Sequence, residues 1–322
     1  MRTLILGGSG FVGRAVAAEA ITRGHTVTVF NRGRRDPVPG ARVLLGDRLT
    51  PGGLAALDTA ETWDAVVDTW SADAVPVADA AQLLSGRAGH FTYLSSRSVY
   101  RYGGAAPLAE DSPLADLDDP GYAGDKLRGE HAAAAFTGPL LLARAGLILG
   151  PHEDVGRLPW WLNRLHRGGP TLAPGPRELP LQYIDARDLA TFVLDAAAAG
   201  HSGAFNVVSE PGHTTMGELL DTANEITGGH AELRWTDPQP ILDAGIEPWT
   251  QLPIWLPPGS VDHEFMHRGD VSKALAAGLH CRPVRDTIAD TWAWLTALPG
   301  EAPRRADRAA AGLDPALEST LL

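Results

Sequence analysis

Two residues four apart, Tyr122 and Lys126, are the first in this chain whose types and spacing suggest chemistry. In Tyr-Ala-Gly-Asp-Lys they fall one turn apart on one face of a helix predicted over 122–136. An isolated phenol, with a pKa near ~10, exchanges protons poorly at neutral pH. A neighbouring ammonium favours the phenolate and brings that exchange into the physiological range. Upstream, Leu-Ser-Ser-Arg-Ser-Val-Tyr at 94–100 follows a predicted strand. A hydroxyl at such a strand end can hold a substrate carbonyl. On its own, the tyrosine–lysine spacing fits an ordinary surface helix equally well.

A second constellation lies at the N-terminus. Gly7-x-x-Gly10-x-x-Gly13 sits where an apolar run at 3–6 gives way to a helical pattern at 11–23. Glycine is needed there for unusual dihedrals and for close approach of a pyrophosphate to the backbone. The helix N-terminus adds N–H donors and partial positive charge. Gly24 stops the helix, and the β-branched alternation at 25–30 completes a βαβ unit. A carboxylate at the end of that second strand would bind the ribose 2′-hydroxyl of NAD. The chain has Asn31, Arg32, Gly33, Arg34 and Arg35 instead, which favours NADP, with NAD as the alternative. Asp47, after the third strand, is placed to touch the adenine or to serve as a turn carboxylate.

The elements that must position these residues follow an alternating rhythm. Strands are predicted at 43–45, 64–69, 90–95 and 140–144, with helices at 74–84 and 122–136. Such alternation implies an α/β fold, a Rossmann doubly wound parallel sheet binding its ligand at the strands' carboxyl ends. After Gly150-Pro151 the chain becomes rich in proline and tryptophan. We expect a dinucleotide-binding domain over 1–150, rejoined by about 182–202. A smaller C-terminal α/β substrate domain is expected from 151–181 and 203–298, with a tail at 299–322 that reads as free or as a docked helix. Within it, 241–259 reads as a loop or lid with apolar anchors.

Together, the glycine loop, Ser95-Ser96-x-Ser98-Val99-Tyr100 and Tyr122-x-x-x-Lys126 resemble the extended short-chain dehydrogenase/reductases, the NAD-dependent epimerase/dehydratase group. The likeness runs over about 1–295 and includes the stretches at 142–151 and 204–207. It implies Ser96 and Tyr122 as catalytic groups, and Lys126 as the residue that binds the nicotinamide ribose and tunes Tyr122. Expected cofactor contacts are Gly7, Ser9, Gly10, Phe11, Val12, Gly13, Asn31, Arg32, Arg34, Asp47, Arg48, Thr69, Trp70, Ser95, Tyr122 and Lys126. Trp70, Arg97, Tyr100, Leu147, Trp249 and Trp255 are candidates for the substrate side. Family dehydratases carry an Asp-Glu pair where this chain has Arg97 and Ser98, and many nucleotide-sugar enzymes carry asparagine at the position of Leu147. These departures point to a small or partly apolar carbonyl or alcohol. The resemblance also implies a homodimer through the helices at 74–84 and 122–136. The favoured activity is an NADPH-dependent carbonyl reductase. A sugar or nucleotide-sugar epimerase with tightly bound cofactor is the enzymatic alternative, and a dinucleotide-sensing or RNA-associated regulator the alternative of another class.

Composition excludes several other functions. A net charge of −12 over 322 residues disfavours nucleic acid as a partner. No apolar window approaches the ~18 residues of a membrane span, and the first residues form too short an apolar run for a signal peptide. The single cysteine, Cys281, forms no internal disulfide or thiolate metal site by itself and suits a reducing, cytoplasmic setting. His263-Glu-Phe-Met-His267 matches a zinc-protease pattern. Its proline- and glycine-rich surroundings predict loop and strand rather than the required helix, and no metal is expected. Arg268-Gly269-Asp270 is read as chance; Asp185 and Asp188, with Arg187, could reach substrate, but a solvated loop or a structural ion pair is the favoured reading.

Overall fold

The computed structural model describes residues 1–305 and 310–322. They fall into two compact units: 1–146, 186–208 and 270–280 in the first, and 147–185, 209–269 and 281–322 in the second.

Seven strands organise the first unit: β1 (Arg2–Leu6), β2 (Thr26–Asn31), β3 (Arg42–Leu45), β4 (Ala65–Asp68), β5 (Phe91–Ser96), β6 (Leu140–Ala145) and β7 (Gly203–Val207). Their order is β7-β6-β5-β4-β1-β2-β3, all parallel. Every residue of β4 and β5 is buried, as a strand covered on both faces requires. Four helices cover the sheet: α1 (Phe11–Thr22), α2 (Val75–Leu84), α3 (Tyr122–Ala133) and α4 (Ala186–Ala199). α1 packs on α4 and α2 on α3. The strand order reverses between β1 and β4, so their carboxyl ends flank the crevice where doubly wound sheets bind ligands. This is a Rossmann-type α/β fold.

The stretches 203–208 and 270–280 belong to this unit, not to the C-terminal domain expected for them. β7 pairs with β6, and the Asn206 amide on β7 donates to the carbonyls of Leu108 (2.9 Å) and Asp270 (2.8 Å). These partners are far apart in sequence, so local pattern gave no sign of them.

The second unit has its own core. Trp161, Leu162 and Leu165 on the helix Arg157–Arg167 pack with Met216, Leu219 and Leu220 on the helix Met216–Thr227. Beside them runs a parallel pair, Gly169–Pro174 with Ala231–Thr236. The expected lid at 241–259 contributes fully buried Leu252, Ile254 and Trp255 to this core, so that part of it is structural. Of the two readings of the end segment, the docked helix is the one observed, at Pro315–Glu318. Residues 306–309 lie outside the described residues, but beyond them Leu313 is buried in the core. Glu318 pairs with Arg164 at 2.8 Å, with both side chains no more than 7% exposed. Apolar and ionic contacts thus hold a stretch whose composition reads as solvated. Among the described residues, no helix is long and apolar enough to cross a membrane.

Removing one partner of a buried ion pair leaves the other charge uncompensated. Glu318→Ala is therefore expected to lower the unfolding free energy by about 3–5 kcal/mol in urea titration. An unchanged midpoint would show that this segment does not stabilise the fold.

Candidate functional site

The glycine loop is built by close packing. Gly7 has φ +99°, and a Cβ there would lie 2.2 Å from Thr69 Oγ1. A Cβ on Gly13 would lie 2.5 Å from the Gly7 carbonyl oxygen, so strand end and helix start touch. Gly10 is different: a Cβ would meet only Arg35 Nη1 at 3.7 Å and the Gly7 oxygen at 3.9 Å, both ordinary contacts, so packing does not close this position. Gly10 also caps α1 without a side-chain hydrogen bond, and no acidic residue occupies the first turn. Ser9, Gly10, Phe11 and Val12 are partly exposed around this uncapped N-terminus. The loop therefore suits a dinucleotide pyrophosphate.

At the end of β2, the Asn31 side-chain oxygen accepts the Gly33 N–H at 2.7 Å, and Gly33 takes φ +68°. The resulting turn exposes Arg32, Arg34 and Arg35. Arg14 Nη2 ties the loop to α1 by donating to the Asp36 carbonyl at 2.7 Å. Arg35, absent from the expected contacts, is the arginine whose guanidinium lies beside Gly10. Its signal was present in the arginine run, but only the turn shows which arginine folds back. Asp47 is partly exposed and accepts the Leu49 N–H at 3.1 Å.

Arg48 is placed differently from a direct cofactor contact. Its guanidinium grips both oxygens of Asp68, at 2.7 and 2.8 Å, and also donates to the Pro76 carbonyl. The Asp68 carboxylate is fully buried at the end of β4 and accepts the Trp70 N–H at 3.0 Å. Thr69 Oγ1 donates to the Leu6 carbonyl at 2.9 Å, tying β4 to β1.

Lys126 is the best-fixed of the expected proton-handling groups. It is 3% exposed, and its Nζ donates to the carbonyls of Trp70 (2.7 Å) and Leu94 (2.6 Å). Tyr122 is the first residue of α3 and is 36% exposed. Ser96, at the end of β5, accepts the Ser98 N–H and donates to Ser98 Oγ, both at 3.1 Å. A second phenol, Tyr93, lies under the lysine, with Nζ 4.9 Å from its ring. Burial pushes its pKa well up, and Asp68, Tyr122 and Glu130 push further. Its hydroxyl has no hydrogen-bond partner among the described residues, so Tyr93 stays protonated.

Several expected contacts serve the structure instead. Ser95 Oγ donates to Glu130 at 2.5 Å, and Glu130 takes both a 2.9 Å and a 2.8 Å bond from Arg144. Tyr100, 1% exposed, donates to Asn206 at 2.6 Å within the same buried network. Arg97 is 4% exposed, and burial lowers its pKa to about 10. Leu147 and Trp255 belong to the core of the second unit, where the Trp255 indole donates to the Gly175 carbonyl at 3.0 Å. Trp249, in that unit, is partly exposed, with the Arg157 guanidinium 4.9 Å over its ring.

The 263–267 motif is helical, contrary to the expected strand: Val261–His267 is a helix started by the Ser260 side chain, which accepts the His263 N–H. Its histidines nevertheless serve the backbone. His263 Nε2 bonds the Pro180 carbonyl at 3.0 Å, and His267 Nδ1 accepts the Gln182 N–H at 3.0 Å. Among the described residues, no group of three His, Cys, Asp or Glu is arranged to hold a metal. Asp185 is buried rather than solvated, 3.8 Å from Arg282, and Asp188 is buried as well.

Because the Cβ of Gly13→Ala would strike backbone, this variant is expected to weaken dinucleotide binding by at least about tenfold in calorimetric titration. Unchanged affinity would remove the loop from the binding site.

Comparison with known proteins agrees with this architecture. Residues 3–208 match the NAD dependent epimerase/dehydratase family. The UDP-glucose 4-epimerase of Corynebacterium glutamicum is 25% identical over 272 residues, covering 71% of this chain and 81% of that protein. The 2′-dehydrokanamycin reductase of Streptomyces kanamyceticus is 33% identical over 184 residues, covering 53% and 51%. The crystal structure of the human epimerase family protein SDR39U1 (isoform 2) with NADPH superposes with a TM-score of 0.61 at 21% identity, over 91% of this chain and 99% of that one. The glycine loop at a uncapped helix N-terminus, the reversal of strand order beside it and the family match agree: this chain belongs to the NAD dependent epimerase/dehydratase family, the extended short-chain dehydrogenase/reductases.

Proposed function

We propose that this chain is an NADP(H)-dependent oxidoreductase that interconverts a carbonyl and an alcohol on a small or partly apolar substrate. The end of β2 carries the reading: Asn31 stands where a carboxylate would select NAD, three arginines follow, and Arg35 lies beside Gly10. Arginines there offer a 2′-phosphate charge-assisted bonds that NADH cannot use. The NADPH in the human relative's structure and the reductase activity named for the Streptomyces relative support this reading. When bound, the reduced cofactor supplies a hydride to the carbonyl carbon.

The chain's own residues would complete the reaction. Ser96 would hold the carbonyl oxygen by hydrogen bonding, and Tyr122 would deliver its phenolic proton there as the hydride arrives. The product is an alcohol, and Tyr122 regains its proton from water. Lys126, held by the Trp70 and Leu94 carbonyls, would place a positive charge one turn along α3 from Tyr122. The Corynebacterium relative favours a second reading, an epimerase that oxidises and then re-reduces one substrate on a retained cofactor.

Parallel calorimetric titrations with NADPH and NADH decide the cofactor. NADPH is expected to bind at least about tenfold more tightly, and Arg32→Ala, directly after Asn31, to erase most of that difference with NADH affinity unchanged. Equal affinities would overturn the NADP assignment. In a carbonyl screen, Tyr122→Phe is expected to lower turnover by about 100-fold or more, with NADPH affinity held within about threefold. Substrate inversion without net NADPH consumption would move the assignment to the epimerase.

A further inference from the structure

We infer that the buried Arg48–Asp68 pair is a positioning device for Lys126, acting through the Trp70 carbonyl. The inference rests on the placement of Lys126 in the cofactor site. Of the two carbonyls that hold Nζ, that of Leu94 lies within β5 and is fixed by the sheet. The Trp70 carbonyl lies beyond the end of β4, where no strand pairing fixes it. Something else must hold it, and three contacts do. The Trp70 N–H donates to Asp68 Oδ1 at 3.0 Å. Its indole N–H donates to the Asp73 carbonyl at 2.7 Å. Its ring carries the Arg48 guanidinium at 5.0 Å. Arg48 meanwhile holds both Asp68 oxygens and the Pro76 carbonyl at the start of α2.

The chain of contacts therefore runs from Arg48 to Asp68, to Trp70, to the lysine. A lysine stem has rotamer entropy to lose, and two charge-assisted bonds can hold it only if both acceptors stay still. A buried ion pair is weak evidence for stability, since an apolar pair of similar volume often serves the fold as well. Holding one carbonyl in place for a cation is a role that an apolar pair cannot fill. Arg48 and Asp68 act through another residue, so both are positioning residues.

The chain has only two lysines, Lys126 and Lys273, which makes the ammonium directly observable. With 15N-lysine labelling, the apo protein should show a sharp Lys126 ammonium cross-peak in proton–nitrogen spectra at low temperature, with Lys273→Arg providing the assignment. In the double variant Arg48→Met, Asp68→Leu, we expect a native circular dichroism spectrum and a Lys126 signal broadened beyond detection. NADPH affinity should fall about fivefold, the equivalent of one loosened hydrogen bond. Should the double variant fail to fold, Trp70→Ala, at a partly exposed site, removes the indole contacts and is expected to broaden the same signal. An unchanged Lys126 cross-peak in either folded variant overturns the inference. Failure of the redox reading would show separately, as wild-type protein that binds neither nucleotide, because the ammonium signal is read without cofactor.

Discussion

The constraint on which the candidate site depends is the close contact between the end of β1 and the start of α1. A side chain on Gly7 would overlap Thr69, and one on Gly13 would overlap the Gly7 carbonyl. Three neighbours therefore converge: the strand that precedes the turn, the helix that follows it, and the end of β4. Because they converge, the helix N-terminus opens at the carboxyl end of the sheet with its N–H groups uncapped. Thr69 closes the arrangement by donating to the Leu6 carbonyl, which ties the neighbouring strand end to the anion cradle.

Buried charge secures the rest of the candidate site from behind. The Arg144–Glu130 pair, both side chains 5% exposed, binds Ser95 and Tyr100 into one network beneath β5 and β6. The Arg48–Asp68 pair does the same at the end of β4. Each pair joins residues on different elements, where the low dielectric makes an unpaired partner costly. Between the two networks, Lys126 and the buried phenol of Tyr93 lie behind the exposed Tyr122. The division of labour is physical: Lys126 has its ammonium committed to two carbonyls, and of the two phenols Tyr122 is the exposed one.

The second unit shows how composition can mislead about order. Proline and tryptophan around 241–259 read as a loop or lid, yet Ile254 and Trp255 are fully buried. The charged, alanine-rich end reads as a tail or a docked helix, and Glu318 pairs with a buried arginine. In both segments a few apolar or ionic anchors fix a stretch whose composition reads as loop or tail. The helix at 261–267 was hidden similarly, although Ser260, three residues before the N–H it caps, was a local signal for it.

Much of the fold and of the candidate site was legible because its causes are local. Glycine spacing after an apolar run, the four-residue step from Tyr122 to Lys126, and the arginine run after Asn31 are patterns that neighbouring residues enforce. Buried parallel strands announce themselves as continuous apolar runs. Tertiary structure alone decided which polar residues of those motifs are spent inside the protein. Ser95 goes to Glu130, Tyr100 to Asn206 at 106 positions' separation, and Arg48 to Asp68. It also chose Arg35 to lie beside Gly10, and placed β7 and 270–280 with the sheet. Each of these outcomes depends on partners brought together by folding, and a hydrogen bond or ion pair between distant residues leaves no periodicity in the chain that makes it.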